Sequence, residues 1–306
     1  MKAAGAFLAL FMLLCVPEAR GGGGAYSLGE GDSVIGLPGS YTLRGGESLH
    51  EAALNAGLGY GEVAQANPGV DPWLPGDGTE IVLPTMWVLP QAPREGIVVN
   101  LAEMRLYHYF EADGRRLVRT FPIGIGREAF DTPTGSYTVA QKLQNPSWTV
   151  PKSIRAENPS LPAIVPPGPE NPLGRFALRL SDPSYLIHGT NRPLGIGRRV
   201  SHGCIRMYPG DIAALFKAVA PGTPVRIVYQ PVKVGRRDGA VFVEAHRGYI
   251  EEDESALWER AVGLLAEGGL LGETDSALLH RALGELTGLP LSVTSGETSA
   301  AEADPS

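Results

Sequence analysis

The sequence predicts a mainly β protein with some α-helix, built from several units in series. Glycine (40) and proline (26) together make roughly a fifth of the 306 residues, a share typical of many turns between short strands. From residue 96 to residue 140, strand-like runs follow one another with no helical pattern between them. This order favours a sandwich or barrel over a parallel α/β sheet.

The charge of the chain excludes one class of partner and marks one segment. The net charge is −7, so no basic surface of the size that nucleic acid requires is available, and we exclude nucleic acid as a partner. Residues 231–306 carry 14 acidic and 6 basic side chains. We therefore treat them as a separate C-terminal extension with acidic helices and a disordered end.

The N-terminus has the pattern of an export signal. Lys2 precedes an apolar run from Ala3 to Val16, which is too short to span a bilayer and has the length of a secretory signal core. We predict a signal peptide over residues 1–25, cleaved after Ala25, and a periplasmic protein. A lipoprotein signal through Cys15 and an uncleaved anchor are the alternatives.

Residues 40–85 predict a small unit with the order strand, helix, helix, strand. The predicted elements are Tyr41–Leu43, Ser48–Ala56, Gly61–Asn67 and Glu80–Pro84. The stretches Tyr41–Leu49 and Ala64–Pro68 resemble a LysM carbohydrate-binding module, which implies binding to peptidoglycan glycan strands. A small packing domain that binds nothing is the alternative. Trp73 and Trp87 flank this unit and suit either sugar stacking or contact with the next domain.

Residues 94–230 form the predicted central domain. Its expected strands are Gly96–Leu101, Arg105–Phe110, Val118–Ile125, Ser136–Ala140 and Val225–Tyr229, with one helix over Pro209–Ala220. The stretch Gln144–Gly174 contains eight prolines and no clear periodicity, which is unusual inside a compact domain and indicates a functional flap or substrate wall. Beyond the domain we expect a strand over Ala240–Ala245 and helices over Glu254–Ala266 and Asp275–Leu286.

The chemistry of the chain is concentrated around Cys204. If the signal is removed, Cys204 is the only cysteine left, and a solitary thiol in an oxidising compartment is a hazard that packing alone does not require. As an extended strand, Ser201–Met207 places His202, Cys204 and Arg206 on one face. The opposite face carries apolar residues for the core. The backbone N–H groups at Gly203 and Cys204 suit an oxyanion.

A histidine on a neighbouring segment completes the predicted site. Tyr185–Gly189 is an apolar strand interrupted by His188, and strand pairing brings this imidazole beside the thiol. Because only the thiolate is nucleophilic, an imidazole that accepts its proton is the minimum that covalent acyl chemistry needs. The remaining histidines, His50, His108, His246 and His280, lack metal-ligand spacing, so we predict no metal and no cofactor.

These residues resemble a known catalytic signature. The strings Ile187–Asn191 and Arg199–Met207 resemble the YkuD-type L,D-transpeptidase domain. Further stretches resemble the branch that attaches a Braun-type outer-membrane lipoprotein to peptidoglycan: Pro93–Asn100, Thr132–Gly135, Asn145–Trp148 and Asn171–Gly174. The resemblance implies a mixed, mainly antiparallel β-sandwich.

The resemblance also implies roles for the site residues. It gives Cys204 as the nucleophile and His188 as its base, with His202 and Ser201 shaping the pocket and Gly203 at the oxyanion. It gives Arg206 and Gly189 as the substrate-orienting residues, with Arg206 orienting the substrate or the sheet around it. Some members of the family have serine after the base histidine, whereas this chain has Gly189. The group that orients His188 is therefore a backbone carbonyl or comes from elsewhere.

The implied reaction is acyl transfer on a tetrapeptide stem of peptidoglycan. The thiol attacks the carbonyl of the diamino acid, releases the terminal D-alanine and forms a thioester. An amine of another stem, or a lysine of an outer-membrane lipoprotein, then accepts the acyl group. A hydrolytic carboxypeptidase and a catalytically inactive wall-binding protein are the two alternatives.

Overall fold

A computed structural model of the chain describes residues 24–296. The predicted signal peptide, with Cys15, lies outside the described residues except for Gly24 and Ala25, and so do the last ten residues of the predicted disordered end. No helix within residues 24–296 is long and apolar enough to cross a membrane.

The N-terminal unit has its strands and helices in the order strand, helix, helix, strand. Its elements and their flanking strands are β1 (Tyr26–Ser27), β2 (Val34–Gly36), β3 (Gly39–Thr42), α1 (Leu49–Ala56), α2 (Tyr60–Ala66), β4 (Glu80–Leu83) and β5 (Met86–Val88). Strands β3 and β4 pair antiparallel. Ser48 caps α1 through a reciprocal bond with Glu51, and Gly57 ends the helix in a left-handed conformation. The assignment as a LysM module stays a prediction.

The small unit shares its core with the domain that follows. Leu49 and Ile81 pack in one cluster with Tyr107 and Val118 of the central sheet. Trp87 belongs to the same cluster and is 4% exposed, so the idea that this ring stacks on sugars is wrong. Trp73, by contrast, is 62% exposed.

The central domain is mainly β, as predicted. Its strands are β6 (Gly96–Asn100), β7 (Arg105–Ala112), β8 (Arg115–Gly126), β9 (Gly135–Gln144), β10 (Trp148–Thr149), β11 (Ile164–Val165), β12 (Phe176–Leu180), β13 (Leu186–His188), β14 (Arg199–Ser201), β15 (Ile205–Met207) and β16 (Pro224–Val228). Its helices are α3 (Lys152–Glu157) and α4 (Pro209–Ala218).

Two long strands connect the sheets of this domain. Residues 115–122 of β8 pair with β7, and Ile123 and Gly124 pair with β15. In the same way β9 pairs with β16 through its first residues and with β12 through its later ones. The strand path β8-β15-β13-β12-β9-β16-β6-β7 therefore returns to β8. The result is a closed sandwich whose two sheets enclose one apolar core.

The proline-rich flap is held by one buried amide. Residues 144–174 contain helix α3 and the short antiparallel pair of β10 and β11. Asn171 is 1% exposed, donates to the Pro146 carbonyl over 2.9 Å and accepts from the Leu173 N–H over 2.9 Å. This side chain fixes both ends of the flap.

The C-terminal extension is folded onto the other two units. It contains β17 (Val232–Arg237), β18 (Ala240–Ala245), α5 (Glu254–Glu267), α6 (Ser276–Glu285) and β19 (Leu291–Ser292). Both predicted helices are present, each within a residue of its expected bounds. Strands β17 and β19, which the sequence analysis missed, pair on either side of β18.

A buried ionic network joins the three units. The Lys233 ammonium lies 2.8 Å from Glu103 and 2.8 Å from Glu244, and it donates to the Val88 carbonyl over 2.7 Å. His246 lies 2.6 Å from the same Glu244. Glu103, Glu244 and His246 are close enough together to hold a metal ion, but the ammonium of Lys233 already forms ion pairs with both carboxylates there. We regard the cluster as structural.

Candidate active site

Strand pairing places the two predicted reactive segments side by side. Strands β13 and β15 pair in parallel, with Ile187 opposite Ile205 and His188 opposite Arg206. The apolar residues Ile205 and Met207 are buried in the core, as predicted. Cys204 immediately precedes β15 and is half-buried, with Sγ 3.8 Å from the Ser184 carbonyl oxygen.

The segment that carries the thiol is not the continuous strand that the sequence predicted. The extended conformation stops after Ser201 and resumes at Ile205, because Gly203 has a φ of +98°. A Cβ at this position would lie 3.0 Å from the ring of Tyr185, so both the conformation and the contact require glycine. The alternation that placed His202 on the same face as Cys204 is interrupted at this bend.

The bend is held by two hydroxyl groups. Ser201 Oγ donates to the Cys204 carbonyl over 2.5 Å and accepts from the Gly203 N–H over 3.2 Å. Thr132 Oγ1 donates to the Gly203 carbonyl over 2.9 Å. The Gly203 N–H is thus bonded to Ser201 Oγ.

The orientation of His188 is fixed by a backbone carbonyl. His188 Nδ1 lies 2.6 Å from the carbonyl oxygen of Gly189. A carbonyl only accepts, so Nδ1 carries the proton and Nε2 is the basic nitrogen. This contact supplies the orienting group that the sequence left open, and it explains why a serine side chain is not needed there.

The pKa shifts of His188 and Cys204 favour the neutral form of both groups in the free protein. Burial, with a smaller contribution from Arg206, lowers the pKa of His188 to about 4. Burial raises the pKa of the Cys204 thiol, while a backbone hydrogen bond from Leu186 and the charge of Arg206 partly oppose this. At neutral pH the site therefore holds a thiol and a neutral imidazole, not a preformed ion pair.

Arg206 is the charged residue that acts on both groups. Its side chain is half-buried, and among residues 24–296 its Nε has no hydrogen-bond partner. Burial and the nearby charge of Arg192 lower the pKa of the guanidinium. A buried donor without a partner is costly in a folded protein, and a carboxylate of a bound substrate would satisfy it.

His202 contacts the flap instead of the thiol face. Its Nε2 lies 3.1 Å from Arg127 Nη2 and 3.3 Å from Glu157 Oε2, and Arg127 also lies 2.6 Å from Glu157 Oε1. Glu157 is the last residue of the flap helix α3. His202 thus links the flap to the bend that carries Cys204. Sequence reasoning missed Arg127 and Glu157 because nothing local marks contacts 30 and 45 positions apart.

A cavity of about 660 Å³ is lined in part by Gly189, the residue that follows His188. It is bounded by the flap residues Gly168 and Asn171, by the segment 189–191, and by the first residues of α4. Its volume is in the range of small-molecule and peptide pockets. The flap therefore forms one wall of a cavity that adjoins Gly189.

A thiol directly before one strand and an imidazole on the strand paired with it, with an arginine whose charge acts on both, are the groups that cysteine-dependent acyl-transfer enzymes use. Comparison with known proteins gives the same class. Residues 94–227 match the YkuD family of L,D-transpeptidase catalytic domains.

Similar proteins match well beyond that domain. The chain is 46% identical over 216 residues to the probable L,D-transpeptidase YcfS of Escherichia coli, covering 68% of this chain and 67% of that protein. It is 41% identical over 225 residues to the probable L,D-transpeptidase ErfK/SrfK of Salmonella typhimurium, covering 71% and 72%. The chain belongs to the L,D-transpeptidase family.

Proposed function

We propose that Cys204 and His188 are the catalytic pair of this L,D-transpeptidase, acting on the tetrapeptide stems of peptidoglycan. The observation that carries the proposal is the bond from His188 Nδ1–H to the Gly189 carbonyl. We expect Nε2, the ring nitrogen that does not carry this proton, to accept the proton of the thiol next to the paired strand.

The reaction follows from the protonation states at rest. As Sγ attacks the carbonyl of the diamino acid, His188 accepts the thiol proton and the Cys204 N–H donates to the developing oxyanion. Collapse of the intermediate expels D-alanine, whose amine takes the proton from the imidazolium, and leaves a thioester. An acceptor amine then attacks the thioester, loses a proton to the same imidazole and restores the thiol.

The substrate-orienting role belongs to Arg206. Stem peptides end in a carboxylate, and the half-buried guanidinium beside Cys204 has an unpartnered Nε that suits such a group. The same charge favours the thiolate over the thiol.

The acceptor is an amine of a second stem or a lysine of a Braun-type lipoprotein. Asn171 supports transfer of the acyl group to an amine. Its side chain holds the two ends of the flap together, and the flap forms one wall of the cavity. We expect the flap to limit the access of water to the thioester, so that a bound amine reacts in preference to water. The N-terminal unit, residues 40–85, adds binding to glycan strands, and the protein works in the periplasm after export by residues 1–25.

The test compares wild type with Cys204→Ala on a stem tetrapeptide with and without an amine acceptor, followed by mass spectrometry. We expect wild type to release D-alanine and form the amide product, and the variant to do neither. Equal melting temperatures would show that the variant is folded. Turnover retained in Cys204→Ala contradicts the assignment, and release of the tripeptide with no amide product supports the carboxypeptidase alternative.

Binding to the wall is tested separately. We expect the full chain to sediment with purified sacculi and Trp73→Ala to sediment less, because the exposed Trp73 ring offers a face for sugar stacking. Trp258→Ala is the control, since this ring stacks on His280 in the C-terminal extension. Equal sedimentation of both variants would contradict a sugar-binding role for Trp73.

A further inference from the structure

The loop between the base and the nucleophile is bound by the N-terminal unit. This connecting loop, residues 192–198, joins β13 to β14. The Tyr60 N–H donates to the Ile196 carbonyl over 3.3 Å, and the Gly61 N–H donates to the Gly197 carbonyl over 3.2 Å. The first turn of α2 therefore donates to the loop the N–H groups that a helix cannot satisfy internally.

The two backbones approach too closely for a Cβ at Gly61 and Gly197, and they leave little room for one at Gly59. A Cβ on Gly61 would lie 2.6 Å from the Gly197 carbonyl oxygen, and a Cβ on Gly59 would lie 3.0 Å from Gly197 Cα. Gly197 itself has a φ of +77°, and its Cβ would lie 2.7 Å from the carbonyl carbon of Gly59. This fit is specific to the contact between the unit and the loop.

On its other side, the connecting loop contacts the residues around the site. A Cβ on Gly195 would lie 3.9 Å from Arg206 Nη1 and 3.1 Å from Val200. The Gly197 N–H donates to the Ile123 carbonyl over 2.9 Å, and Ile123 pairs with Met207 in β15. The loop thus lies between the N-terminal unit and the arginine that acts on Cys204.

Two buried contacts hold α2 in place against the central domain. The carboxylate of Glu62 forms an ion pair with Arg105, and the two side chains are 9% and 2% exposed. Tyr208, directly after β15, donates through its hydroxyl to the Leu58 carbonyl over 2.9 Å. These two contacts fix the start of α2 against the central domain.

We infer that the start of α2, residues Gly59–Gly61, positions the connecting loop and through it Arg206 for the transfer reaction. The N-terminal unit then contributes to turnover through its own backbone, independently of any glycan that it binds. The inference rests on the proposed roles of Cys204 and Arg206. The glycines are positioning residues, since they touch the loop and not the substrate.

The test uses substitutions that disturb only this contact. Gly61 lies inside α2, where alanine favours the helix, so Gly61→Ala strains the loop and not the unit itself. Gly59→Ala is the milder variant and reports if Gly61→Ala fails to fold. Gly263→Ala is the control, because Gly263 lies in α5 with open space around its Cα.

We expect kcat to fall about tenfold in Gly61→Ala and about threefold in Gly59→Ala, with KM within about twofold of wild type, because small misplacements of catalytic groups reduce the rate steeply. The pH midpoint for alkylation of Cys204 should shift more in Gly61→Ala than in Gly59→Ala. Gly263→Ala should match wild type. Folded variants of Gly59 and Gly61 with wild-type kcat and alkylation midpoint would overturn the inference. Full activity in Cys204→Ala would instead overturn the proposed nucleophile.

Discussion

Removing the charge of Arg206 should make the Cys204 thiol less acidic by a measurable amount. The guanidinium lowers the pKa of both Cys204 and His188. An opposite charge close to a titrating group shifts its pKa by about 1–3 units, and Arg206 is half-exposed, so we take the lower end, about one unit. In Arg206→Met the alkylation rate below the thiol pKa should therefore fall about tenfold.

The assay is the pH dependence of the second-order rate of alkylation by iodoacetamide. Because the chain has two cysteines, every protein carries Cys15→Ser as well. Arg226→Met is the matched control, since Arg226 is an exposed arginine on β16 whose guanidinium bonds Ser136. An alkylation midpoint in Arg206→Met equal to that of the control would refute the electrostatic role of Arg206.

Three further predictions follow from the site and its surroundings. Because the pKa of His188 is about 4, the base stays neutral and kcat/KM should remain level down to about pH 5; an acid limb centred near pH 6.5 would contradict this. Glu157→Gln should raise the ratio of hydrolysis to transfer about threefold by loosening the flap, with the exposed Glu128→Gln as control and product mass spectrometry as readout; an unchanged ratio would remove the flap contact from the mechanism. Lys233→Met should lower the free energy of unfolding by about 3–5 kcal/mol, because it leaves buried carboxylates unpaired. Urea unfolding checks this against Lys217→Met, and a loss below about 1 kcal/mol would count against the network.

The sequence was sufficient to predict elements whose signal is local. The apolar strand at Tyr185–Gly189 and the helix that begins at Pro209 were both predicted close to their observed positions. The thiol and the histidine were predicted to meet through strand pairing, and β13 and β15 do pair. Such patterns can be read from the sequence because each of them depends on residues that are close together in the chain.

Other features depend on contacts that no local pattern records. The bend at Gly203 has a positive φ and is held by the hydroxyls of Ser201 and Thr132, so the alternation expected along Ser201–Met207 does not continue through His202. The partner of His202 in the flap is Glu157, 45 positions away. The role of the Gly189 carbonyl was left open for a different reason. Every residue has a backbone carbonyl, so the sequence does not show which one bonds His188.

The ionic network around Lys233 limits how far the chain can be truncated. The family match ends at residue 227, yet Glu103 inside it depends on Lys233 beyond it, and Arg105 depends on Glu62 ahead of it. Cutting the chain at residues 94 and 227 would remove Glu62 and Lys233. The buried charges of Arg105 and Glu103 would then lose these partners and be exposed to water. We therefore expect a truncated chain to fold only if it retains residues on both sides of the matched segment.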